Sequence, residues 1–155
     1  MSEPVNQKQI KPENRRKTIL DINDYISKQL PARQNILNRI NSIILDTDKT
    51  IHGEVGTMMG QEMILYKGKG LMKYGLASVK NYMSLHVMPI YGSETLHSKY
   101  KILLYKANFQ KGCINFEKEE NMPLEIVRNL IEDCSVIDLI KIKEDYLKQK
   151  IKTKH

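Results

Sequence analysis

The sequence predicts an α+β domain: an antiparallel sheet of about four to five strands, with helices from both ends of the chain packed against it. Three observations lead there. Apolar residues recur at helical spacing over 22–44, alternate with period two from about Gly60 to Met88, and return to helical spacing after Pro123. Short glycine-bearing or polar connectors separate the β runs, as hairpins require. With 155 residues, 41% of them hydrophobic, the chain can build one core but not two.

Each element has its own signal. Residues 1–17 lack apolar periodicity and read as a basic tail. Ile22, Tyr25, Ile26 and Leu30 then follow at helical spacing behind Asp21, a residue type suited to an N-cap. Pro31 ends that helix, because proline disfavours helical geometry in the residue before it. In the next helix Ile36, Leu37, Ile40, Ile43 and Ile44 make one apolar stripe, and Asp46-Thr47-Asp48 closes it with turn-forming side chains. Glu62–Tyr66, Leu71–Val79 and Tyr82–Met88 are strand-length runs, joined by Lys67-Gly68-Lys69-Gly70 and by Lys80-Asn81. In the third run Met83, Leu85 and Val87 fall on one face; Tyr82, Ser84, His86 and Met88 fall on the other. A half-polar second face suits an antiparallel sheet covered on one side. Residues 93–106 suit a short helix or loop, and Cys113–Phe116 a further strand. Pro123 stands at a first helical position before the stripe Leu124, Val127, Leu130 and Ile131. Ser135 and Asp138 have capping-box spacing for a last helix through Tyr146 and Leu147. The predicted organisation is a tail over 1–17, one domain over 18–147 and a second tail over 148–155.

The formal charge is +7, and its location matters more than its size. Lys8, Lys11, Arg15, Arg16 and Lys17 outnumber Glu3 and Glu13 at one end, and six lysines outnumber Glu144 and Asp145 over 141–155. These two ends account for the whole excess, leaving 18–140 neutral. Within that middle, 66–111 is strongly basic, with Glu94 its only acid, while 112–140 is acidic. Lysine-rich ends are ordinarily solvated tails; the alternative is contact with nucleic acid or an acidic partner. The first 20 residues have no signal-peptide pattern, and no stretch stays apolar for the ~18 residues of a membrane span. Cys113 and Cys134 form neither a disulfide framework nor a metal pair. A reducing, cytoplasmic location is expected.

Candidate chemistry gathers in the β segment. Lys67-Gly68-Lys69-Gly70 offers free amides and two ammonium groups to an anion, but it lacks the strand-to-helix context of a phosphate loop. Glycine in a hairpin turn explains the same residues. His86, beside Tyr82 and Ser84, can act as base or ligand, with a packed or hydrogen-bonded side chain as the plainer reading. His52, Glu54 and His97 are potential metal ligands whose spacing matches no recognised site. Met58, Met59, Met63, Met72, Met83 and Met88 crowd one segment. Thioethers bind Cu(I), yet Met63, Met72 and Met83 better suit a deformable core. Cys113 follows Lys111, whose ammonium favours a thiolate, but no histidine lies near it in sequence and an inert buried thiol is expected. Glu117, Glu119 and Glu120 suit a solvated turn more than a cation site.

Two blocks resemble a known family. Val79-Lys80-Asn81-Tyr82-Met83-Ser84-Leu85-His86-Val87-Met88-Pro89-Ile90-Tyr91-Gly92 is similar to the signature strand of the YdhG-like family of small bacterial domains. Lys111-Gly112-Cys113-Ile114-Asn115-Phe116, followed by Met122-Pro123-Leu124, resembles its second block; the resemblance as a whole extends over roughly residues 18–135, with the tails outside it. The resemblance implies a curved antiparallel sheet with helices against it, and no general catalytic role. Some members are described as frataxin-like iron chaperones, so iron is the cofactor that the resemblance implies. Asp21 and Asp24 alone on the first helix, and a basic sheet segment, depart from what hard iron needs.

These readings predict a non-enzymatic binding domain whose sheet face around Tyr66, Lys67, Lys69, Tyr82, Ser84 and His86 takes a small or anionic ligand or a protein partner. A frataxin-like iron chaperone is the alternative by resemblance, and nucleic-acid contact through the tails is another. No nucleophile–base pair can be placed from spacing alone, so no catalytic residue and no metal ligand set is assigned.

Overall fold

Strand alternation leaves one side of the sheet apolar, and helices cover that side. The computed structural model describes residues 12–153. Strands β1 (His52–Met58), β2 (Gln61–Gly68), β3 (Leu71–Ser78), β4 (Met83–Val87), β5 (Asn108–Gln110) and β6 (Cys113–Phe116) form one curved, open antiparallel sheet in the order β1-β2-β3-β4-β6-β5. Helices α1 (Pro12–Ser27) and α2 (Pro31–Thr47) precede it, α3 (Met88–Tyr91) and α4 (Glu94–Leu103) link β4 to β5, and α5 (Leu124–Ser135) and α6 (Leu139–Thr153) follow. The fold is thus α+β, with six strands among the described residues.

The first face of the sheet carries Ile64, Tyr66, Tyr74, Leu76, Leu85 and Ile114, which join Ile22, Ile26, Leu37, Ile40, Val127 and Leu130 of the helices in one core. The α2 stripe is buried as its spacing predicts. Two core tyrosines find partners on the helical side: Tyr66 Oη donates to Asn41 Oδ1 at 2.7 Å and Tyr74 Oη to Asp48 Oδ2 at 2.7 Å. Asp48 ends α2 as a turn residue, but it is buried rather than solvated. A register shift after Tyr66 pairs Tyr66 with Tyr74 and Lys67 with Met72, leaving Lys73 as the extra residue of a β-bulge. The bulge turns Lys73 inward, and its Nζ meets Asp48 Oδ2 at 2.8 Å.

Several elements differ from the sequence expectation. Helix α1 spans Pro12–Ser27, so Asp21 lies inside the helix and not at its cap. Residues 1–11 and 154–155, the remainder of the expected tails, lie outside the described residues. Strands β1 and β5 are additional, and Met88 opens α3 rather than ending β4. Asp138 alone caps α6, its Oδ1 accepting from the amides of Ile140 and Lys141, while the Ser135 hydroxyl donates to the Glu132 carbonyl. That helix continues past Leu147 to Thr153.

Candidate functional site

The face of the sheet opposite the helices is where unassigned polar chemistry gathers. Its apolar cluster is Met63, Leu65 and Ala77 with Met58 and Met72 packed against them, all strand residues. Alternation along β4 and β6 brings Ser84, His86, Cys113 and Asn115 to the same side. In register, Ser84 stands between Ala77 and Asn115, and His86 between Gly75 and Cys113. Space above Gly75 is tight: a Cβ there would lie 3.2 Å from Met63 Sδ and 3.5 Å from His86 Cδ2. The thioether and the imidazole therefore flank one small opening.

Across β4 and β6, Cys113 Sγ lies 3.0 Å from His86 Nδ1. Burial lowers the His86 pKa and raises that of Cys113. Both shifts favour neutral partners, so the contact is a hydrogen bond between a thiol and an imidazole, its direction set by the ring tautomer, rather than a thiolate–imidazolium pair. The thiolate is the nucleophilic form, and this pairing as built holds little of it at neutral pH. Sequence reasoning missed the pair because 27 positions separate the two residues. Only the strand order, with β6 beside β4, puts them in register.

Ser84 and Asn115 are 4% and 9% exposed. Among the described residues neither side chain has a hydrogen-bond partner, and the fully enclosed orphan atoms are Thr47 Oγ1 and His52 Nδ1. The Ser84 and Asn115 groups therefore keep a narrow opening to solvent. A nearly buried hydroxyl and amide without partners are costly unless something hydrogen-bonds to them, which makes this pair the most informative feature of the face.

The residues expected to form one site separate. Ser84 and His86 are together. Tyr66 is on the first face, inside the core, because its position in β2 alternates away from Leu65. Lys67 is on the second face near the β1 edge, where Glu54 Oε1 holds it at 2.7 Å. Lys69 is in the β2–β3 turn at φ 52°, and Tyr82, 38% exposed, lies in the β3–β4 connection. Other lysines of the basic stretch are also engaged, Lys73 by Asp48 and Lys99 by Asp133 at 2.8 Å. Lys67, Lys69, Lys73 and Lys99 do not converge on His86.

The expected metal ligands separate too. His52 and Glu54 belong to β1, while His97 stacks edge-on against Phe109 of β5 at the opposite edge of the sheet. Among the described residues, no three His, Cys, Asp or Glu side chains gather as a metal group. Open grooves lie elsewhere, between α2 and α5 and beside Tyr91, His97 and Lys111. No described helix is long and apolar enough to cross a membrane. In comparisons with known proteins, no family model, no curated protein and no solved structure matches the chain.

Proposed function

We propose that this is a binding domain whose ligand is a small, uncharged polar molecule seated on the second face of the sheet, over Ser84, His86, Cys113 and Asn115. One observation carries the reading: Ser84 and Asn115 are nine-tenths buried or more and have no hydrogen-bond partner among the described residues. A hydroxyl and an amide supply both donors and acceptors, and the imidazole adds its Nε2, Nδ1 being engaged by Cys113. The dispersal and pairing of the lysines argue for a neutral rather than an anionic ligand. Kinship with the YdhG-like family is part of the proposal and rests on the two sequence blocks, Val79–Gly92 and Lys111–Leu124. A cytoplasmic setting belongs to it as well, supported by Cys113 and Cys134 both being free thiols.

The test is a titration of isotope-labelled protein with a panel of small amides, lactams and nucleosides, followed by amide chemical shifts. Saturable shifts centred on Ser84, His86, Cys113 and Asn115, lost in a Ser84→Ala/Asn115→Leu variant, are expected. Shifts confined to other surfaces, or none at all, would defeat the reading.

A further inference from the structure

We propose that the ligand of the second face is a cyclic imide or ureide, whose edge of carbonyl, N–H and carbonyl groups is recognised by Asn115 and Ser84 together. The inference rests on the reading of this face as a binding face and names the class of ligand it takes.

The register fixes which side chains meet. Val87 donates its amide to the Gly112 carbonyl at 2.7 Å, which makes these two a hydrogen-bonded pair of the β4–β6 ladder. Such pairs alternate along an antiparallel ladder. His86 with Cys113 and Ser84 with Asn115 are therefore the intervening pairs, whose side chains stand closest. The 3.0 Å contact between Cys113 and His86 reflects that closeness. Ser84 and Asn115 have the same relation, yet among the described residues no hydrogen bond joins them. Their polar atoms are left for a molecule that reaches both.

The surroundings select its charge. Asn108 of β5 pairs with Asn115, and Gln110 with Cys113, so both polar rows continue to the edge of the sheet. From β4 outward these rows hold hydroxyl, amide, imidazole and thiol groups, with no lysine, arginine or carboxylate. A charged ligand would lose solvation here without finding a counter-charge, whereas a neutral one has its hydrogen bonds answered.

Burial and bonding pattern select its shape. Ser84 and Asn115 are nine-tenths buried or more, so only a thin edge reaches them. A side-chain carboxamide offers one donor and one acceptor side by side, and it is satisfied by a partner with the complementary two on one edge, as asparagine is by adenine. Acyclic secondary amides are trans and place N–H and C=O on opposite edges. Ring closure puts them on the same edge. Asn115 then donates from Nδ2 to one ring carbonyl and accepts the ring N–H at Oδ1, while the Ser84 hydroxyl donates to the second carbonyl.

The experiment titrates the isotope-labelled full chain with glutarimide and with uracil, following backbone and side-chain amide shifts. Both should give saturable shifts of the Asn115 carboxamide and of the Ser84 and Asn115 backbone amides. N-methylglutarimide and 3-methyluracil keep both carbonyls but lack the N–H, and each should bind at least about tenfold more weakly than its parent. Asn115→Leu should abolish glutarimide binding, and Ser84→Ala should weaken it by about fivefold. Asn115→Asp, near-isosteric but without the donor, should weaken it by about tenfold and probes the same contact with less disturbance to the fold. Lys69→Ala, in the β2–β3 turn, should leave binding unchanged. Circular dichroism reports the folding of each variant. Equal affinity for methylated and unmethylated rings, or glutarimide binding that survives both Asn115 substitutions, overturns the inference. If the imides fail while other neutral polar probes still shift Ser84 and Asn115, the ligand class falls and the binding face stands; if no probe shifts them, both fall.

Discussion

Asp48 is fully buried and Lys73 nearly so, and every oxygen of the carboxylate is used. Oδ2 receives Lys73 and Tyr74, and Oδ1 receives the Thr50 amide at 2.9 Å and its hydroxyl at 2.5 Å. The same surroundings push the Cys134 thiol up to about 12, chiefly through burial, with Lys73 pulling the other way. Such a pair adds little net stability, but removing one partner strands the other. Lys73→Met should therefore cost about 3–5 kcal/mol in denaturant unfolding, and adding Asp48→Leu should recover much of it. A second carboxylate titrates usefully. Asp133 Oδ2 accepts from Lys99 at 2.8 Å and Tyr100 at 2.5 Å, and these bonds hold its pKa below the ordinary 3.8. The folded value is the lower one, so the stabilisation is complete above pH 3.8 and is lost as pH falls through the folded pKa. Asp133→Asn should flatten the stability curve below that pH and leave its shape near neutrality unchanged.

Hairpin geometry sets the next scale. The β1–β2 and β2–β3 turns each place two central residues at positive φ: Met59 (50°) with Gly60 (77°), and Lys69 (52°) with Gly70 (80°). That is the type I′ pattern, which Asn-Gly satisfies best. Methionine is a poor residue for the left-handed region, so Met59→Asn should raise stability by about 0.5–1 kcal/mol, read from the urea midpoint at unchanged slope. The second of these turns was legible in the sequence because glycines punctuate it. Strand β1 was not, since Gly53 and Gly56 dilute its β propensity and its pairing with β2 decides the matter. The α2 stripe and the alternation of β4 were legible because each face meets one environment along its whole length. Ser84 and His86 could be assigned to one face from period two alone. Their companions Cys113 and Asn115 could not, because that requires the β4–β6 register, fixed only after the chain has passed through α3, α4 and β5.

At the scale of the molecule, the sheet and its helices form one cooperative unit to which α6 is only lightly attached. Leu139 and Ile140 touch it beside Thr50, Leu71 and Lys73, but every residue from Lys141 to Lys150 is exposed, including Ile142, Tyr146 and Leu147. A helix contributes to global stability mainly through the apolar face it packs, and over 139–150 only the first turn of α6 is not fully exposed. Opening α6 therefore exposes little that is not already in water, whereas opening α2 exposes Leu37 and Ile40 of the core. Hydrogen exchange should report the difference. Amides of α6 beyond Lys143 should exchange through local fraying, while those of α2 and β2–β4 should exchange only through global unfolding. Deleting residues 144–155 should change the unfolding free energy by less than about 1 kcal/mol, against about 2–5 kcal/mol for Leu37→Ala. Slow, global-limit exchange throughout α6, or collapse of the fold on its deletion, would show that the helix packs on something this arrangement lacks. If the expected pattern holds, the charge on Lys141, Lys143 and Lys148, all exposed, can be changed without disturbing the sheet on which Ser84, His86, Cys113 and Asn115 are displayed.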